Sequence, residues 1–352
     1  MSDDTMSDDT TSGKPHASDS RPRPVSPLMR VVGFIGAQNL ALIGGLVVML
    51  LVIRSLNQYV FLPTNLVDIG VAVAIIGILS IAQMIVIVAG GLDISIGSAA
   101  GLASVLTAMA IAAGWPAAAA LLVALAVGAA CGAFNGFLVN FLRINAVIAT
   151  LATFGGFSGL ALVISGGRSI AATNEVFRYV GVTRWFGLPL TLILLIVVAI
   201  IAHIFLSYTV IGRRLYALGS NPVAARNSGI SLVKYRMGLY IMSGVAAGLA
   251  GAVIITRTRL GTEAGSSDLG LTAITAALLG GAALTGGRGT IVGVMLAVII
   301  LGVLNNGLIL TGTPPFWSNV ALGAFLIIAV AGQEADLPTR FRGWMASRRR
   351  GK

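Results

Sequence analysis

Ten apolar runs separated by short polar turns dominate the chain, at 31–53, 67–89, 94–113, 117–138, 146–165, 188–208, 237–256, 272–284, 290–310 and 317–333. A helix crossing the ~30 Å hydrocarbon core of a bilayer takes about 20 apolar residues, so the pattern predicts an all-α, polytopic integral membrane protein of about ten transmembrane helices. The run at 272–284 is too short to cross upright, and the stretch 261–271 before it is Gly-rich and polar. That pair predicts a re-entrant or broken helix, which survives at membrane depth only where protein or a water-filled cavity satisfies its backbone. Residues 1–30 are polar, repeat MSDDT in tandem and are rich in Ser, Asp and Pro. Such a segment cannot bury enough surface to fold, so it reads as a disordered cytoplasmic tail. A membrane domain follows at 31–333, then a basic cytoplasmic tail at 334–352. The first apolar run begins too far from the start for a cleaved signal peptide.

Lys and Arg orient the spans, because they accumulate in cytoplasmic loops. With the N-terminus inside, 17 of the 23 basic residues fall on the cytoplasmic side. The remainder, Arg54, Arg168, Arg178, Arg184, Arg257 and Arg259, fall outside. Both termini are then expected in the cytoplasm.

Composition narrows the chemistry. The chain of 352 residues is 57% hydrophobic and 10% charged, whereas soluble domains carry about 25% charge. Its net charge of +11 does not point to nucleic acid, because the basic residues sit at the ends of apolar runs and form no presented cluster. Lone Cys131 excludes a disulfide framework. None of Lys14, Lys234 or Lys352 completes a phosphate-binding loop of the Gly-Lys-Ser/Thr kind, so any ATP must be bound by partner subunits. Gly286-Gly-Arg-Gly289 lacks that Lys and reads as a tight cytoplasmic turn. His16 and His203 have no carboxylate beside them in a catalytic or zinc-binding pattern, so no metal, cofactor or catalytic residue is expected. Asp68, Asp93, Glu175, Glu263 and Asp268 all lie near span ends or in loops. Ion-coupled transport would want carboxylates within the spans.

The polar residues within the spans are uncharged and include Gln83, Asn135, Asn140, Thr150, Thr153, Ser158, Asn305 and Asn306. Singly they read as interhelical glue; together they suit a polar, uncharged cargo. Asn135, Asn140, Asn305 and Asn306, with Asp93 and Ser95, are the candidate lining of a translocation path. Gly-x-x-x-Gly spacings at 97/101, 128/132, 132/136, 155/159 and 244/248 predict close helix packing. A constant offset of 170 places Gly91-Leu-Asp93 on Gly261-Thr-Glu263 and Gly132-Ala-Phe-Asn135 on Gly302-Val-Leu-Asn305. In the orientation above the two copies have opposite topology, a pattern compatible with an inverted repeat as easily as with chance among 45 glycines.

The longest inward connection, 209–236, has five basic residues and no acidic one. Within it, Asn221-Pro-Val-Ala-Ala-Arg-Asn-Ser-Gly229 carries its own punctuation: Asn221 as N-cap, Pro222 at the first helical position and Gly229 as left-handed stop. A short capped helix between two spans is shaped to enter a groove on another protein.

These residues carry a resemblance. Gly212-Arg-Arg-Leu-Tyr-Ala-Leu-Gly-Ser-Asn-Pro-Val-Ala-Ala-Arg-Asn-Ser-Gly-Ile230 looks like the coupling loop of permease subunits of bacterial ribose/xylose/arabinose/galactose-type ABC importers, and Gly90-Gly-Leu-Asp-Ile-Ser-Ile-Gly-Ser98 is similar to that family's other signature. The resemblance runs from about Phe61 to Gly332. It implies a bacterial inner-membrane permease, with a ten-span fold like that of the vitamin B12-type importers, that moves a monosaccharide by alternating access. Its implied partners are two cytoplasmic ABC ATPases, a second permease that is identical or different, and a periplasmic sugar-binding protein. Carried over, Ala224, Ala225 and Gly229 match the Ala-Ala-x-x-x-Gly core of the ATPase contact, and Val223 stands where many importers have Glu. Asn221, Pro222 and Ile230 would complete the docking element, and Arg213 and Arg214 would face acidic ATPase surface. Arg168, Arg178, Arg184, Arg257, Arg259, Glu263 and Asp268 are the candidates for docking the binding protein. An ion-coupled sugar transporter and an ABC permease for a nucleoside or other small polar solute remain the alternatives.

Overall fold

The computed structural model describes residues 37–314 and 316–334; the expectations for the N-terminal tail and for the basic C-terminal tail fall outside them. Unbroken apolar sequence and helix punctuation build thirteen α-helices among these residues, with a short 3-10 helix at Gln58–Phe61. They are α1 (Ala37–Leu56), α2 (Pro63–Val88), α3 (Ile96–Ala112), α4 (Ala117–Asn140), α5 (Ala146–Ser165), α6 (Glu175–Val182) and α7 (Leu190–Tyr208). After them come α8 (Val210–Ser220), α9 (Pro222–Asn227), α10 (Leu232–Thr258), α11 (Ser266–Leu279), α12 (Ile291–Leu310) and α13 (Phe316–Glu334). Pro63 opens α2, Asn145 caps α5 by accepting from the Val147 amide at 2.9 Å, and Thr290 caps α12 through the Gly293 amide at 3.1 Å. Two small antiparallel ladders join loops: β1 (Ile170–Ala171) with β4 (Leu260–Gly261), and β2 (Arg184–Trp185) with β3 (Leu188–Pro189).

Among the described residues, seven helices are long and apolar enough to cross a membrane: α1, α2, α4, α5, α7, α10 and α12. Three shorter apolar helices, α3, α11 and the apolar part of α13, account for the remaining runs read from the sequence. The run expected at 272–284 is shifted: α11 starts at Ser266, inside the stretch read as Gly-rich loop, and ends at Leu279. At 1.5 Å per residue its 14 residues give a rod of about 21 Å, short of the hydrocarbon thickness. Two further helices, α6 and α8, lie outside the apolar runs. Both are amphipathic, so a search for apolar runs passes over them.

The offset of 170 recurs in the helix boundaries themselves. Val88 and Thr258 end α2 and α10, Ile96 and Ser266 begin α3 and α11, Asn140 and Leu310 end α4 and α12, and Ala146 and Phe316 begin α5 and α13. Packing follows the same relation. α10 lies on α4 as α2 lies on α12, α10 on α3 as α2 on α11, and α3 on α5 as α11 on α13. The related helices α3 and α11 run antiparallel, because Gly97 approaches Ser266 and Gly270 while Gly101, further along α3, approaches Glu263. Two four-helix stretches, α2–α5 and α10–α13, thus correspond at that offset, with α3 and α11 running in opposite directions.

Glycine makes the central seam possible. A β-carbon on Gly132 would stand 2.0 Å from the Tyr240 carbonyl oxygen, and one on Gly128 would stand 2.0 Å from that of Gly244. The neighbour in both cases is helix backbone, which cannot step aside, so α4 and α10 pack at a distance only glycine permits. Gly155 and Gly159 on α5 differ: both are exposed, and nothing in the chain would meet a β-carbon there.

Candidate functional site

The loop between α7 and α10 begins with α8, capped by Thr209, whose hydroxyl accepts from the Gly212 amide at 3.0 Å. α8 buries Gly212, Leu215, Leu218 and Gly219 and exposes Arg213 and Arg214. Arg214 is already engaged: its Nη1 donates to the Tyr235 hydroxyl at 2.7 Å, and its guanidinium sits 6.0 Å from that ring's centroid. A β-carbon on Gly219 would lie 1.9 Å from the Val88 carbonyl at the end of α2. The same carbonyl accepts from the Gly287 amide at 2.7 Å. Tyr216 donates its hydroxyl to the Gly289 carbonyl at 2.8 Å, and burial pushes its phenol above its usual range. α8 is thereby wedged between the end of α2 and the Gly286–Gly289 turn that leads to α12. That turn has the tight form read from the sequence, with positive φ at Gly286, Gly287 and Gly289.

α9 has the predicted punctuation. Asn221 Oδ1 accepts from the Ala224 amide at 3.0 Å, Pro222 occupies the first turn, and Gly229 takes φ 80°. A side chain there would be strained. The Ile230 amide closes the end on the Ala225 carbonyl at 3.1 Å. Pro222, Val223, Ala224, Asn227 and Gly229 are exposed, with Val223 at 70%. Ala225 is the exception to the expected contact set, since it is buried and holds α9 to the rest of the chain.

The candidate path residues do not form one lining. Asp93, Ser95 and Asn135 come together, buried, and line neither of the clefts described below. The Asp93 carboxylate accepts from the Ser95 amide at 3.1 Å, the Ser95 hydroxyl at 2.7 Å and the Ser243 hydroxyl at 2.8 Å. Asn135 donates to Ser95 Oγ at 2.7 Å and accepts from Thr153 Oγ1 at 2.7 Å. With its amide oriented to match, Gln83 donates to the Asp93 carbonyl at 3.0 Å and accepts from the Asp93 amide at 3.2 Å. This cluster ties the α2–α3 loop to α2, α4, α5 and α10. Its groups satisfy one another, so it acts as a clamp between helices. Asn306 pairs reciprocally with Asn65 at 2.8 and 3.0 Å, Asn305 accepts from Ser318 at 3.0 Å, and Asn140 bonds its own helix at Gly136.

Glu263 is the 170-residue counterpart of Asp93 and is also largely buried, accepting from the Ser158 hydroxyl at 2.8 Å and from the Ser267 hydroxyl. Both carboxylates belong to loops, as expected, yet both are enclosed. Sequence position alone gave no sign of that, and Glu263 faces inward where a docking residue would face out. The other docking candidates are exposed. The β1–β4 ladder ties the loop that follows Arg168 to the segment that follows Arg259, whose carbonyl accepts from the Ala172 amide at 3.0 Å; α6 carries Arg178 in an ion pair with Glu175 at 2.9 Å, and Arg184 begins the β2–β3 hairpin.

Two of the open clefts flank these elements. One, of about 760 Å³, lies beside α9 between the end of α4, the start of α10 and the end of α2. The other, of about 620 Å³, lies between the end of α12, the start of α2 and the end of α10, and holds Asp68, Arg184, Arg257, Asn305 and Asn306. The repeat relates these boundaries to each other, which places equivalent clefts at opposite ends of the molecule.

Comparison with known proteins bears on this geometry. Residues 65–330 match the family described as branched-chain amino acid transport system, permease component. The ribose import permease protein RbsC of Bacillus subtilis is 36% identical over 288 residues, 81% of this chain and 89% of that protein. The autoinducer 2 import system permease protein LsrD of Photorhabdus temperata is 36% identical over 285 residues, 79% of this chain and 85% of that protein. RbsC of Escherichia coli K12 is 32% identical over 289 residues, covering 81% and 90%. No solved structure matches the chain.

Proposed function

Because the chain belongs to the permease component family of branched-chain amino acid transport systems, we propose that it is the membrane subunit of an ATP-driven importer of a monosaccharide or a similarly hydroxylated solute. The names of its relatives, ribose and autoinducer 2 import permeases, support that cargo class. The observation that carries the reading is α9. It is a short helix fixed at both ends, with Val223 and Ala224 presented outward, mounted through α8 on the ends of α2 and of the turn into α12. A surface of this kind suits a groove on an ATPase subunit.

In this reading α9 faces the cytoplasm together with both termini, in the bacterial inner membrane. Ten membrane helices are reached when the shorter α3, α11 and α13 join the seven longer ones, in an arrangement similar to that of the vitamin B12-type importers. Closure of two ATPases moves α9. Gly219 and Tyr216 pass that displacement to α2 and α12, and the Asp93 clamp carries it from the α2–α3 loop into α4, α5 and α10 as a rigid-body movement. A binding protein docks at the opposite end, where the exposed arginines gather, and releases solute toward the cleft holding Asp68 and Asn305. The uncovered Gly155 and Gly159 face of α5 is suited to close packing with a second permease.

Reconstitution with the ATPase subunits and a solute-loaded binding protein tests the reading. Uptake should require ATP and survive collapse of the proton gradient; uptake that instead follows the gradient would establish ion coupling.

A further inference from the structure

Three arginines from separate elements meet in the cleft beside α9: Arg143 in the α4–α5 turn, Arg226 on α9 and Arg236 in the first turns of α10. Among the described residues no carboxylate lines this cleft, and Gly90 and Gly91 are among its lining residues. Like charges gathered in one concavity repel one another and draw in a counter-ion. The corresponding cleft at the other end of α2 and α10 instead includes Asp68 in its lining together with Arg184 and Arg257. Arg143 also adopts φ 55°, a left-handed conformation that costs a residue with a side chain and that glycine would adopt freely. The chain keeps a guanidinium there nonetheless. Ser231, at the start of α10, makes no side-chain capping bond, which leaves the first amides of that helix open beside the arginines.

We propose that this cleft binds a phosphate-bearing anion, either a free phosphate species or the headgroup of an anionic phospholipid. Guanidinium groups recognise phosphate oxygens through paired N–H donors, and about 760 Å³ admits a headgroup or a phosphorylated sugar as readily as phosphate itself. An anion held there bridges Arg226 on α9 to Arg143 and Arg236, bracing the loop helix against the α4–α5 turn and the start of α10. The site's chemistry is independent of the cargo and of the transport reading.

The test uses the full-length protein in a neutral maltoside detergent. One arm follows thermal unfolding against inorganic phosphate, with chloride at matched ionic strength. The other follows retention of phosphatidylglycerol by native mass spectrometry. The variants are Arg143→Gly, which suits the left-handed backbone and leaves the fold intact, and Arg236→Gln. Saturable stabilisation by phosphate, weakened about tenfold or more in each variant, supports a free phosphate species as ligand. No phosphate effect, together with lipid retention by wild type that both variants lose, supports the site with the headgroup as ligand. Failure of the wild type to bind either probe, or equal binding by wild type and variants, overturns the proposal.

Discussion

The Ser243 hydroxyl donates to the Asp93 carboxylate at 2.8 Å across 150 residues of sequence, joining the α2–α3 loop of the first repeat to α10 of the second. Ser95 and Asn135 close the cluster around it, so removing one donor leaves a buried carboxylate partly unsatisfied. Ser243→Ala should cost about 1–3 kcal/mol, read as a fall of several degrees in the unfolding temperature of the purified protein. In a double-mutant cycle with Asp93→Asn the two changes should be non-additive. Additive effects would mean that the two groups do not act as a unit.

The glycines divide into those the chain packs against and those it leaves open. Gly132→Leu must push α10 away from α4, because the obstructing atom is the Tyr240 carbonyl. It should reduce the amount of folded protein recovered from membranes severalfold. At exposed Gly155 a β-carbon meets nothing within 4 Å in the chain, so Gly155→Leu should leave the monomer's unfolding temperature within about 1 °C while weakening permease pairing in size-exclusion chromatography with light scattering.

Ala224 is exposed on α9 and its side chain has no role in the cap, which rests on its amide. Ala224→Glu should therefore abolish ATP-driven uptake while the protein remains folded in the membrane. Ala225→Glu is less informative, because burial of Ala225 makes it a folding lesion as well. Near-normal uptake by Ala224→Glu would remove α9 from the coupling path.

Asn221 fixes the entry of α9 through its side-chain oxygen. Asn221→Ala should loosen the helix by about 1 kcal/mol, and uptake should fall while overall stability hardly changes. Asn221→Asp retains an acceptor at that position and should restore uptake. A contribution from side-chain bulk alone would leave the two variants alike.

The ten apolar runs reveal nearly all the long helices, because burial in lipid demands unbroken apolar sequence. They leave α6 and α8 unseen, since each is polar on one side. The caps of α9 are legible for a different reason: Asn221, Pro222 and Gly229 act on their own local backbone, and local chemistry can be read locally. The 170-residue relation is visible only faintly in Gly91-Leu-Asp93 and Gly261-Thr-Glu263, yet it is plain in the helix boundaries, because packing preserves geometry through many substitutions. What the sequence could not reveal is which polar residues meet. Asp93 and Ser243 lie far apart along the chain, and Asn135 looks the same in a list of polar residues whether it faces a solute or Ser95. The arginine-lined cleft is equally hidden, since Arg143, Arg226 and Arg236 each read as an ordinary cytoplasmic charge until α4, α9 and α10 bring them together.

Disulfide trapping at α9 tests most directly whether this helix is where ATPase motion enters the membrane subunit. Val223→Cys places a thiol on the exposed face, while Cys131 is buried. Paired with cysteines along the groove of the ATPase subunit, it should form an intersubunit disulfide whose oxidation stops uptake and whose reduction restores it. Absence of any cross-link in complexes that still transport with ATP would contradict the role given to α9.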